Sequence, residues 1–267
     1  MVAARRVQDP NSGPLPARVA AMASRFLARR SRSKLVPLHN TPPMVTFTFD
    51  DVPASACEHG ARILERHGIR GTFYIAASGC GTASSDGPMR ASIGQLRTIW
   101  ANGHEIGCHT YSHPAVRSIS IDELGLELDR NRTALGAIDA AIMVRNFAYP
   151  YGDLSVHTKR YLERRFDSCR SAHPGINRGR ADLGALDAWP LQNAALDGER
   201  IAELIGETVR SAGWLIFYSH DVAERPSRYG ITPDLLERAV TAAKAAGCRV
   251  ATVADSLSLI DSRAGRE

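Results

Sequence analysis

From Met44 onward the chain alternates short β-rich runs with stretches of helical periodicity, and this rhythm constrains the fold more than any other feature. The strand candidates are Val45–Phe49, Thr72–Ala77, Glu105–His109, Asn146–Tyr149, Ser168–Arg170, Trp189–Leu191, Trp214–Ser219 and Arg249–Thr252. Helical segments lie between most of them. Cys57–His67, Asp197–Ala212 and Pro233–Ala246 each stop at a glycine (Gly68, Gly213, Gly247), the residue that most easily closes a helix. Ser120 with Glu123 three residues later reads as a capping box opening a helix toward Leu135. Strands separated by helices cannot pair as tight hairpins, so alternation repeated this often predicts an α/β fold around a parallel sheet, open or closed into a barrel.

A chain of 267 residues, 44% apolar and 23% charged, can bury one substantial core. The net charge of +5 is concentrated at the N-terminus, where Arg5, Arg6, Arg18, Arg25, Arg29, Arg30, Arg32 and Lys34 face only Asp9. A basic extension on a nearly neutral domain does not indicate a nucleic-acid partner. Residues 1–43 are expected to form this extension, punctuated by Pro10, Pro14, Pro16, Pro37, Pro42 and Pro43, with a catalytic domain over residues 44–260. Within it Val19, Met22, Phe26 and Leu27 fall at helical spacing among arginines. Such a helix suits a membrane surface or a partner, or packs its narrow apolar stripe on the domain. Cys57, Cys80, Cys108, Cys169 and Cys248 form no CxxC pair, so reduced thiols in a cytoplasmic setting are expected. No run reaches the ~18 apolar residues of a membrane span, and Arg18 and Arg25 break the Ala-rich stretch that a secretory signal needs.

In parallel architectures the chemistry gathers at the C-terminal ends of the strands. Val45–Phe49 stops on Asp50-Asp51, adjacent carboxylates that repel each other unless one binds a cation and the other moves protons; helix capping is the alternative. Further on, Gly107-Cys108-His109-Thr110-Tyr111-Ser112-His113 sets two histidines four apart, and one helical turn would bring both imidazoles to the same side. Two neutral imidazoles and a carboxylate make three ligands with a position left open, as hydrolytic metal sites require. His104 and Glu105 read as packed, hydrogen-bonded residues. Phe147-Ala148-Tyr149-Pro150-Tyr151-Gly152-Asp153 is an aromatic strand ending in a proline turn. Trp214–Ser219 delivers His220 to a strand end, where it can serve as a general acid.

These four segments, in this order, resemble the NodB-like polysaccharide deacetylases over roughly residues 44–259. Thr48-Phe49-Asp50-Asp51 is similar to the first motif of that family, which implies Asp50 as base and Asp51 as metal ligand. His109 to His113 resembles the second motif and supplies two more ligands. Tyr151 matches the residue whose backbone N–H meets the oxyanion, and His220 matches the general acid. The resemblance implies an incomplete (β/α) barrel of about seven parallel strands. It also implies a metal-dependent hydrolase that removes acetyl groups from N-acetylated amino sugars with a metal-held water as nucleophile. Zinc is the expected metal, with cobalt or nickel admitted by the same ligands. The alternative on this scaffold is an amidase for small cyclic amides or ureides. Two positions depart from the pattern: Ala148 stands where an arginine is usual, and Asp187-Ala188-Trp189 matches the fourth motif only loosely.

Overall fold

The computed structural model describes residues 15–39, 41–83 and 88–264; Arg5, Arg6, Pro10 and Pro14 of the extension lie outside the described residues. In chain order the elements are α1 (Leu15–Arg30), β1 (Leu35–Pro37), β2 (Met44–Asp50), α2 (Ala61–Arg66), β3 (Thr72–Ile75), α3 (Ile93–Ala101) and β4 (Glu105–Cys108). They continue as α4 (Ile121–Gly136), β5 (Asn146–Ala148), α5 (Val156–Leu162), β6 (Ser168–Arg170), β7 (Arg180–Asp182) and β8 (Trp189–Pro190). The last are α6 (Gly198–Arg210), β9 (Trp214–Ser219), α7 (Pro233–Ala245), β10 (Arg249–Val250) and α8 (Val253–Ala264). Every strand expected from the alternation is present to within about two residues. The Ser120–Glu123 capping box is formed, and Ser92 with Gln95 makes a second one at the start of α3.

The main sheet runs β6-β5-β4-β3-β2-β9-β8 with every neighbouring pair parallel. It curls into an incomplete barrel. β2 is its centre: β9 lies along one side, while β10 accompanies its first two residues and β3 its last three on the other. Both faces of β2 are buried, as a helix-covered parallel strand requires. Val45, Phe47 and Phe49 pack into the core beneath the helices with Phe73, Leu215 and Phe217. Such side chains each contribute roughly 1.5–3 kcal/mol on burial. Thr46, Thr48 and Asp50 alternate with them and therefore turn to the barrel interior, where Thr46 accepts a hydrogen bond from the Trp214 indole. Between the two edges the chain is irregular: residues 183–188 lead from β7 into β8 alongside β6, where Cys169 N–H donates to the Leu183 carbonyl and Ser171 N–H to the Leu186 carbonyl.

The region before residue 44 is built onto this body. β1 pairs antiparallel with β7, a short ribbon not foreseen from the sequence. α1 buries Ala21 and Ala28 and hydrogen-bonds through Ser24 to the Leu154 carbonyl. The apolar residues singled out from the sequence do not make this contact. Val19, Met22, Phe26 and Leu27 are 55–65% exposed, and the docked face consists of small residues instead. Among the described residues no helix is long and apolar enough to cross a membrane. All five cysteines are free thiols.

Candidate metal centre and active site

The upper rim of the barrel collects the strand ends. Asp50 is the last residue of β2; His109 directly follows β4, Tyr151 lies in the turn after β5, Arg170 ends β6 and His220 directly follows β9. The chain breaks away sharply at the exits of β2, β4 and β5. Asp51, Val52, Thr110, His113 and Tyr151 all have positive φ, between 43° and 61°, a conformation costly for non-glycine residues, above all for β-branched Val52 and Thr110.

His109 and His113 come together, but not through a helical turn. Residues 109–114 form an irregular loop, with Thr110 and His113 in the left-handed region. The loop is held by Glu127 of α4, whose carboxylate accepts from Tyr111 N–H (3.0 Å), Ser112 N–H (2.7 Å) and the Ser112 hydroxyl (3.0 Å). The result places His113 Nε2 3.1 Å from His109 Nε2 and 3.4 Å from Asp51 Oδ1. His109 Nδ1 lies 2.8 Å from the Ala148 carbonyl, which requires the proton on Nδ1 and leaves Nε2 as a lone-pair donor.

Asp51, His109 and His113 offer ligand atoms that all lie within 4.8 Å of one another. Asp51 Oδ1 is buried and accepts no hydrogen bond, a costly state for a carboxylate oxygen unless a cation supplies the missing charge. Burial pushes His113 down to about 4 and lowers His109, so both rings are neutral near pH 7. Burial acts to raise Asp51, but His113, His109, His220 and Arg90 outweigh it and hold the carboxyl well below its ordinary range. The histidine share of that effect belongs to their protonated forms. At neutral pH the set is therefore two neutral imidazoles and one carboxylate, the protonation state that binds a divalent ion. These three residues fit a metal.

Asp50, next to Asp51, faces a different partner. Both of its carboxylate oxygens accept from Nη2 of Arg170, whose side chain is only 1% exposed. The guanidinium lies over the rings of Tyr74 (5.2 Å) and Tyr218 (4.9 Å), and Nη1 donates to the Ser171 carbonyl. Arg170 was not singled out from the sequence. It stands in register opposite Ala148, the position where an arginine is usual in the resembled family.

His220 is near enough for its charge to act on Asp51. Its Nδ1 is buried without a hydrogen-bond partner, and its ring stands 5.5 Å from that of Tyr229. Asp187, the loose fourth-motif match, does not serve it; that carboxylate pairs with His173 Nδ1 at 3.1 Å. The Tyr151 ring packs edge-on against His113, 4.5 Å between centroids. His104 is a packed residue, accepting from Gly71 N–H and facing Glu65 through Nε2. Glu105 is half-buried and accepts from the Thr72 hydroxyl, the Asn146 amide and the Ala254 N–H.

Residues 39–165 match the family described as Polysaccharide deacetylase. Among curated proteins the chain is 23% identical over 230 residues to a chitin deacetylase of Colletotrichum lindemuthianum, covering 81% of this chain and 80% of the relative. A second relative is the peptidoglycan-N-acetylglucosamine deacetylase PgdA of Listeria monocytogenes, 24% identical over 117 residues, covering 43% of this chain and 23% of that protein. The solved structure of the Colletotrichum enzyme superposes with a TM-score of 0.57 at 21% identity, covering 81% of this chain and 88% of that one. It shares the incomplete (β/α) barrel.

Proposed function

We propose that this chain, a member of the polysaccharide deacetylase family through residues 39–165, hydrolyses the acetamide of an N-acetylglucosamine-containing oligo- or polysaccharide. One observation carries the reading: a three-residue ligand set converges at a strand rim, and a second carboxylate directly beside it is held apart by a buried guanidinium. Two adjacent aspartates thus face two different tasks.

Asp51, His109 and His113 would hold a divalent ion, zinc by ligand type with cobalt or nickel also suited. Such an ion supplies positive charge that polarises the acetyl carbonyl and acidifies a neighbouring water. Asp50, fixed by Arg170, accepts a proton from the attacking water. The Tyr151 N–H, presented by its left-handed turn, faces the oxygen on which negative charge develops. His220 then donates a proton to the amine nitrogen as the C–N bond breaks, so that acetate and a free amino sugar leave. On the face of α1 turned from the domain, exposed apolar side chains stand among arginines, which supports a contact with a membrane surface.

The test is acetate release from N-acetylglucosamine oligomers, with a cyclic ureide as the competing substrate. Acetate should appear, vanish with a chelator and return with added zinc or cobalt. Ureide opening without acetate release would overturn the sugar reading, and acetate release unaffected by chelation would overturn the metal.

A further inference from the structure

A cleft that none of the metal-centre residues line lies where the C-terminal end of α1 meets the segment between β6 and β8. It encloses about 840 Å³ and is lined by Phe26, Arg29, Arg30 and Arg32 from one side and by Arg178 and Arg180 from the other. Two carboxylates, Asp182 and Asp187, also line it, but both are engaged: Asp182 pairs with Lys159 and Asp187 with His173. Among the described residues none of the five arginines forms an ion pair; Arg29 and Arg32 reach Asp187 only through longer-range attraction, and Arg30 lies over the Phe26 ring at 5.6 Å. Five guanidinia gathered round one concavity repel each other unless an anion neutralises them. Guanidinium forks match the oxygens of a phosphate.

The surroundings specify which phosphate. Leu15, Val19, Met22 and Phe26 are spaced four, three and four residues apart, so at 3.6 residues per turn they form one line along α1. All four are more than half exposed. Ala21, Ser24 and Ala28, which hold the helix to the domain, lie on roughly the opposite side. The apolar line points away from the body, arginines flank it, and Phe26 joins it to the cleft. A phosphate beside an apolar track is the outline of a phospholipid at a bilayer surface.

We propose that the arginine cleft is a binding site for the phosphate of an anionic phospholipid headgroup, entered while the α1 stripe lies in the bilayer interface. This rests on the membrane contact proposed above and gives its chemistry; it is independent of the deacetylase reading. The full chain should co-sediment with vesicles of phosphatidylcholine mixed with phosphatidic acid and not with phosphatidylcholine alone. The double variant Arg178→Ala/Arg180→Ala should bind the mixed vesicles roughly thirtyfold more weakly, at about 1 kcal/mol for each arginine near such a surface. It should also lose calorimetric binding of inorganic pyrophosphate. Met22→Asp should lose the vesicles while still binding pyrophosphate. Acetate release from a soluble oligomer should be the same in all of them, so a failure of catalysis in every protein would count against the active site and not this cleft. Vesicle binding that ignores Arg178 and Arg180 would overturn the proposal. So would pyrophosphate binding without vesicle binding, or self-association through α1 that Met22→Asp abolishes in its place.

Discussion

Arg170 reaches Asp50 from the strand next to Ala148, the position where the resembled family usually carries an arginine. In the parallel pair of β5 and β6, Ala148 and Arg170 stand in register, and their shared interior face is marked by Asn146 and Ser168, which hydrogen-bond two residues earlier. A guanidinium can reach Asp50 from either strand, and here it comes from β6 while the Ala148 carbonyl fixes His109. Under the proposed function Arg170 acts through Asp50, as a positioning residue. Arg170→Met should lower kcat by roughly 10²-fold or more, within the range for impaired acid–base catalysis, with KM and metal content little changed. Moving the charge back, in Arg170→Ala/Ala148→Arg, should recover part of the loss. An Arg170→Met protein with unchanged kcat, or one that loses its metal, would contradict this role. The residue was illegible because Ser168-Cys169-Arg170-Ser171 carries no motif; its function is set by sheet register, which one sequence does not disclose.

At the scale of elements, legibility followed burial. The long strands showed themselves because both faces of a helix-covered strand are apolar or threonine-rich, and the capped helices showed their Ser–Glu and glycine ends. β1 and β7, three residues each and partly exposed, have no pattern to read. His109 and His113 lie side by side, but a loop pinned by Glu127 brings them there in place of the helical turn that their spacing suggests. For α1 the hydrophobic pattern pointed to the exposed side, because alanines and one buried lysine do the docking. Lys159, fully buried on α5, donates to the carbonyls of Ala28 and Ser31 at the end of α1 and pairs with Asp182 of β7. Lys159→Met should therefore leave a carboxylate and two helix-end carbonyls without their donor, at a cost of about 3–5 kcal/mol. Urea denaturation would read it as a lower midpoint. A loss below about 1 kcal/mol would mean that α1 and β7 are secured elsewhere.

Over the whole molecule, a parallel sheet that places five strand ends on one rim makes a site out of residues scattered from 50 to 220. Five of the six non-glycine residues with positive φ among the described residues are at that rim, each costing roughly 1–3 kcal/mol. The large core beneath them, with Phe47, Phe49, Phe73, Phe147 and Phe217 fully enclosed, sustains this strain. It turns two consecutive aspartates toward different partners, Asp50 to Arg170 and Asp51 to the two histidines. That division is the central claim, and the direct measurement is zinc affinity by calorimetry on Asp50→Asn and Asp51→Asn, with acetate release recorded on the same samples. Asp50→Asn should bind zinc about as tightly as the unaltered chain and release almost no acetate, whereas Asp51→Asn should bind zinc far more weakly. Zinc bound normally by Asp51→Asn, or lost from Asp50→Asn, would contradict the account.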